Sequence, residues 1–289
     1  VTTRYRTLPQ VKFKEFRDLE RRRVEASDTV WALLVGSRLA VQTLAAIPDQ
    51  RSLLADEFPN LAHVQRMNQR LDRTARLIVE SEGTACTMAM NFTFGLHEDF
   101  VRSCLRLLVS LGKATNGDAA TNSDKMHEVF SERTGHVADP DSLALFHLTR
   151  KVRNAFTHAA GLVRQDLVDH YATLSSTAQA TWSELTSEEF RIPRVGEPAA
   201  FGVSGLIGAL AVQKRLAYDV NLGLQLAVPR DAWADMAVNE YFAESGKSVK
   251  DPSARRSVIG YLRGGFGALN LSAAEIQAGI ERKKKSGML

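Results

Sequence analysis

Only two of the 289 residues are cysteine. That excludes a disulfide framework and any cysteine-rich zinc site. Cys86 and Cys104 stand 18 positions apart with no CxxC between them, and they read as buried thiols of a reducing compartment. Long apolar runs are missing as well. The stretch from Val30 to Ile47 is interrupted by Ser37, Arg38 and Gln42, and Phe201 to Val212 is too short, since a membrane-spanning helix needs about 20 residues. Charges run through the first 25 residues, so no signal-peptide core is present there. These absences predict a cytoplasmic protein with no membrane partner.

Several catalytic signatures are also wanting. No HExxH occurs, and His127, His136 and His147 are scattered along the chain, so no zinc or other metal site is expected. No GxSxG occurs, which excludes the usual serine-hydrolase elbow. Gly260 to Gly267 is glycine-rich, but no strand precedes it and the GxGxxG order is lacking, so it reads as a flexible loop. Gly246-Lys247-Ser248 resembles the end of a phosphate-binding loop, but the position of the first required glycine holds Tyr241. No cofactor is expected from any of these patterns.

What is present is a helix-forming composition. About 44% of the residues are hydrophobic and 24% charged, enough apolar content for a packed core. Leu, Ala, Arg, Glu and Gln dominate, and alternating β-branched runs are scarce, so the expected fold class is all-α, with no βαβ rhythm. The periodicity predicts helices over roughly 10–24, 28–47, 60–81, 84–113, 122–133, 140–160, 164–185, 203–226, 230–243 and 272–285. Breaks are expected at Ile47-Pro48-Asp49, Asn116-Gly117-Asp118, Ile192-Pro193-Arg194 with Gly196, and Ser245-Gly246. Ser272-Ala-Ala-Glu275 has capping-box spacing and should start a short helix carrying Ile276 and Ile280.

Charge is unevenly spread. Residues 1–25 hold eight basic and four acidic side chains, and residues 246–289 hold nine basic and three acidic. The middle of the chain is net acidic, because the whole carries only +4. The expected organisation is a basic N-terminal segment (1–25), a helical domain (26–245) and a basic C-terminal segment with a short helix (246–289). Basic ends of this kind could hold a polyanion such as RNA, or they could be solvated helix faces.

Segment 139–161 is the best-marked helix. Asp139 suits the N-cap, Pro140 the first helical position and Gly161 the C-terminal stop. At 100° per residue, Leu145, Leu148, Val152, Ala155, Phe156 and Ala159 share one face, and His147, Arg150, Asn154 and His158 share the opposite one.

Near the end of this helix stands Arg153-Asn154-Ala155-Phe156-Thr157-His158. With 26 arginines and seven histidines, an Arg-to-His spacing of this kind is expected about twice by chance, and it occurs twice, at Arg153/His158 and at Arg164/His170. The first pair is distinguished by the adjoining Asn154, by its place at the end of a long helix, and by Gly161 just beyond. A helix with an apolar face (Leu206, Leu210, Leu216, Val220) follows after a loop. The segment resembles the HEPN family, which is defined by an Arg, four to six residues, then a His.

The resemblance implies a HEPN-like helical bundle with extra helices. It implies a homodimer whose two motifs face one another across a shared cleft. It also implies a metal-independent endoribonuclease, of the toxin or antiphage-defence type, restrained by an antitoxin or a sensor partner. The chemistry suits the residues. RNA carries its own nucleophile, the 2′-OH. His158 would be the general acid or base. Arg153 would hold the phosphoryl charge, and Asn154, one turn before His158, would position the imidazole or the phosphate. The alternative is a catalytically silent module of the same shape, binding RNA or a protein partner. Elsewhere, Glu98 or Asp99 in His97-Glu98-Asp99 could line the same cleft. Trp31, Trp182 and Trp233 read as core or interface anchors.

Overall fold

Stretches rich in Leu, Ala, Arg and Glu wind into helix along most of the chain. A computed structural model of the chain describes residues 9–158, 161–199, 201–249, 251 and 253–286, which form twelve α-helices and no strand. The helices are α1 (Lys14–Ala45), α2 (Leu54–Glu57), α3 (Leu71–Ser110), α4 (Asn116–Ala119), α5 (Met126–Thr134), α6 (Pro140–His158), α7 (Gln165–Ala172), α8 (Ser176–Thr186), α9 (Val203–Ala227), α10 (Arg230–Ser245), α11 (Ala254–Gly265) and α12 (Ala273–Lys285). The fold is all-α, and no helix among the described residues is long and apolar enough to cross a membrane.

Several boundaries differ from the sequence reading, each for a local reason. Helix α1 runs unbroken through residues 25–28, where Thr29 Oγ1 bonds back to the Glu25 carbonyl at 2.8 Å within the helix. Helix α3 likewise runs through Gly83, whose carbonyl accepts from Thr87 Oγ1 at 2.8 Å. Its start lies at Leu71, not residue 60, because residues 58–70 form turns and a single 3₁₀ turn. The expected helix over 164–185 is two helices, divided where Ser175 caps α8 by accepting from the Ala178 N–H at 3.0 Å. At Asn116-Gly117-Asp118 the chain makes one short helix, held by a Thr115–Asp118 capping box.

The glycine-rich stretch corrects the loop expectation most clearly. Gly260, Gly264 and Gly265 lie in α11. Val258 and Leu262 are buried in it and Phe266 just beyond its end, and burial of that face outweighs the roughly 1 kcal/mol that an interior glycine costs a helix. At Gly265 the chain makes a close approach, its carbonyl accepting the Lys12 N–H at 2.6 Å.

Contacts group the chain into two compact units. The first takes residues up to Arg22, Gly95–His147, and those from Ala211 onward. Its core holds Phe13, Phe16, Phe100, Trp233 and Phe266, with ring centroids 5.8–6.3 Å apart. Residues near the N-terminus are stitched into it. The Val11 N–H donates to Asn221 Oδ1 at 3.0 Å, and Asn221 Nδ2 returns a bond to the Val11 carbonyl at 2.7 Å. Helix α12 packs on α10, and its Ser272–Glu275 capping box is formed, with Ile276 and Ile280 buried as expected.

The second unit comprises Arg23–Phe94 and Leu148–Leu210. One cluster of Leu44, Leu54, Val64 and Leu71, backed by Ala75 and Ile78, joins the end of α1 to the start of α3. Another joins α8 to α9. Trp182 stacks near Phe201 at 5.4 Å, and a Cβ on Gly208 would lie 2.8 Å from Thr186 Cγ2, so the two helices meet closely at that glycine.

Candidate functional site

Helix α6 is built as its sequence suggests. The Ser142 N–H donates to Asp139 Oδ2 at 2.9 Å, which makes Asp139 the N-cap. Leu145, Leu148 and Val152 are buried, while Ala155 and Phe156 are half-buried. Ala159 lies outside the described residues. On the other face His147, Arg150 and Asn154 are half-buried and His158 is exposed. The polar stripe is therefore covered along most of its length and opens to solvent at the motif's histidine.

Arg153 is half-buried in the second unit, its guanidinium 5.2 Å from the centre of the Phe94 ring on α3. That is cation–π distance, a contact worth about 0.5–2 kcal/mol. The Arg153 carbonyl accepts from Thr157 Oγ1 at 2.9 Å. The motif thus presents one cation held against an aromatic ring and, five residues on, an exposed imidazole. Ideal helical geometry separates positions 153 and 158 by about 140° and about 7.5 Å of rise.

Beyond the motif the chain is fixed by backbone pairing. Gly161 adopts φ +73°, a left-handed conformation that glycine takes without strain. Its carbonyl accepts the Ala199 N–H at 2.7 Å. The Val163 N–H donates to Glu197 O at 2.8 Å, and Gly196 donates back to Val163 O at 2.9 Å. Leu162 and Pro198 form an isolated antiparallel bridge in the same place. The polar end of α6 is therefore anchored on its C-terminal side by segment 196–199.

The rival pair sits differently. Arg164 is the extended N-cap residue of the eight-residue α7, and His170 lies in its last turn. Gln165, the polar residue after Arg164, is engaged by Asp169 Oδ1 at 2.7 Å. This pair brackets a short helix instead of ending a long one.

The other histidines are not all scattered in space. His97 and His127 are both buried in the first unit, with their Nε2 atoms 3.0 Å apart, and Phe146 lies 5.3 Å and 5.1 Å from the two rings. Burial, then His97, then His147, holds the His127 pKa well below the usual imidazole value. His136 lies 3.4 Å from Asp219, which also accepts the Asp139 N–H. The sequence carries no signal for the His97–His127 pair, because its members stand 30 residues apart on different helices, α3 and α5. Among the described residues no group of three or more His, Cys, Asp or Glu side chains could hold a metal ion. Glu98 is half-buried and Asp99 exposed, and both fall in the first unit, whereas Arg153, Asn154 and His158 fall in the second.

Both cysteines are buried. Burial is the main cause that raises each thiol pKa, with Glu82 adding at Cys86 and Glu15 at Cys104. Neither has the electropositive setting of a nucleophile. Gly246-Lys247-Ser248 follows the C-terminus of α10, with Gly246 at φ +64°. A phosphate loop opens a helix at its positive end, whereas this segment closes one at its carbonyl end.

No family model, no curated protein and no solved structure matches the chain.

Proposed function

We propose that the chain is a metal-independent endoribonuclease that cleaves RNA through attack of a 2′-OH on the adjacent phosphate. The 2′ oxygen bonds to phosphorus, the bond to the 5′ oxygen breaks, and the products are a 2′,3′-cyclic phosphate and a 5′-OH. The observation that carries the reading is the pairing, at the end of one helix, of an arginine held on Phe94 with an exposed histidine. Arg153 stabilises the phosphoryl charge with a pre-positioned guanidinium. His158 takes the proton from the 2′-OH or delivers one to the leaving oxygen. Asn154 orients the imidazole or the phosphate. The 140° offset between Arg153 and His158 fits a site completed by a second subunit's motif. Such an enzyme acts as a toxin or antiphage-defence effector and is restrained by an antitoxin or a sensor partner.

One observation favours a silent binding module instead: the seat on Phe94 gives Arg153 a packing role of its own. A cleavage assay on mixed cellular RNA with a chelator present separates the two. Cleavage by wild type, leaving cyclic phosphate ends and lost in His158→Ala, supports the nuclease. Salt-dependent RNA binding without cleavage, unchanged in His158→Ala, supports the module.

A further inference from the structure

Several cations of the C-terminal segment are held by neighbours, but those of α11 are not. Arg282 is paired with Asp235, Lys284 with Glu281, and Lys283 donates to Asn239. Arg255, Arg256 and Arg263 are exposed and make no ion pair or hydrogen bond among the described residues. Helix α11 carries no acidic residue. At 100° per residue its three arginines fall within an arc of about 100°, and Arg256 and Arg263 stand two turns, about 10 Å, apart along the axis. Arg255 and Arg256 occupy the first turn, where the helix dipole favours acids, so they do not stabilise the helix itself. The adjoining surface is floored by glycine. Gly260 and Gly264 are exposed, and a Cβ on either would meet nothing within 4 Å. Each costs helix stability without serving a close contact inside the chain, and each leaves bare backbone open to approach by another chain. Helix α11 also borders a hollow of about 300 Å³ shared with α12. Ile259, Leu262, Leu271 and Ile276 line it, and Arg263 and Asn270 supply polar side chains. That volume is the low end of the roughly 300–1,000 Å³ of small-molecule pockets, and it has room for one base.

We propose that α11 is a docking face for single-stranded nucleic acid, with phosphates over Arg255, Arg256 and Arg263 and one unpaired base in the hollow beside them. The guanidinium stays charged and presents a planar fork of donors that matches phosphate. The nearest carboxylates in the sequence do not compete. Asp251 accepts from the Ser253 N–H and hydroxyl, and Glu275 is paired with Arg230. The faces of a base are apolar enough for the aliphatic walls of the hollow, and its edge needs the donor and acceptor that the Asn270 amide carries. A paired base has no such freedom, so the hollow selects single strands. The face lies in the first unit, whereas Arg153, Asn154 and His158 lie in the second. Phosphate and base are common to RNA and DNA, and only the choice of RNA rests on the nuclease reading.

The test is binding of a labelled oligouridine and of its 2′-deoxy counterpart to the full chain, read by fluorescence anisotropy. The deoxy strand lacks the nucleophile for the proposed cleavage, so it reports docking alone. Wild type should bind both. Its log affinity should fall against log salt with a slope of about −2 or steeper, since each phosphate contact on a single strand contributes about −0.7. That is a loss of about twentyfold between about 50 and 200 mM salt. Arg256→Gln and Arg263→Gln should each make the slope shallower by about 0.7. Arg22→Gln, which removes an exposed cation of the same unit, should leave the slope unchanged. Gly260→Leu should weaken binding without lowering the melting temperature, because the new side chain enters open space beside the arginines. Failure of wild type to bind the deoxy strand would overturn the proposal. So would a slope unchanged in both arginine variants, or one reduced as much by Arg22→Gln. A duplex that competes as well as the single strand would overturn the role of the hollow. Cleavage is read separately on RNA. Docking without cleavage keeps the face and sinks the nuclease, and cleavage without docking does the reverse.

Discussion

Arg153 and His158 share a helix but not a surroundings. One is half-buried against Phe94, and the other is exposed at the helix end. Their types and spacing were legible in the sequence, because each is a single letter at a fixed interval. The Phe94 contact was not, since it joins residues 59 positions apart on two helices. Because His158 is exposed, its replacement by Ala should leave the melting temperature within about a degree while RNA cleavage falls by about 10²–10⁴-fold, the usual contribution of a general acid or base. A second residue-level expectation concerns pH. His127 has its pKa lowered, first by burial and then by His97 and His147. Below the unfolded value of about 6.5 the unfolded chain binds a proton that the folded chain refuses. Stability is therefore complete above about pH 6.5 and falls as the pH drops, by up to about 1.4 kcal/mol per unit for this group. Denaturant unfolding at about pH 7.5 and about pH 5.5 should show that loss, and His127→Gln should flatten it. A pH-independent midpoint in wild type would contradict a neutral, buried His127.

At the level of elements, capping was the most legible feature. Asp139 and Ser272 both stand where the sequence marks a helix start, and both accept the backbone bonds that a cap requires. Ser272→Ala should cost about 1 kcal/mol, measured by thermal or denaturant unfolding, with α12 the first segment to lose amide protection. Equal exchange rates in the two proteins would show that packing on α10 alone holds the helix. Lengths were less legible than starts. Two expected helices fused into α1 and two into α3, and one divided into α7 and α8. Propensity is a weak local bias of a few tenths of a kcal/mol per residue. A serine or a glycine therefore breaks a helix only where neighbouring elements supply no compensating contact. Helix α11 makes the same point from the other side, because three glycines stay helical over a buried Val258, Leu262 and Phe266.

At the scale of the whole molecule, the basic ends are less available to a polyanion than their composition suggests. Arg17 pairs with Glu240 at 2.9 Å and also with Glu244; Arg282 pairs with Asp235 at 2.8 Å; and Lys283 donates to Asn239 at 2.8 Å. The C-terminal segment belongs to the first unit. A chain ending at Ser245 should therefore lose that unit's cooperative unfolding, since Phe266, Ile276 and Ile280 would leave its core. A truncated chain melting as sharply as the full one would show the segment to be an appendage. The sequence by itself determined the all-α class, the caps of α6 and α12, and the Arg153-Asn154-x-x-x-His158 constellation, because helix period, capping and motif spacing are local properties. Only the tertiary structure decided the division into two units, the His97–His127 pair and the seat of Arg153 on Phe94. Each of these depends on which distant faces meet, and a one-dimensional pattern of polarity carries no record of that choice.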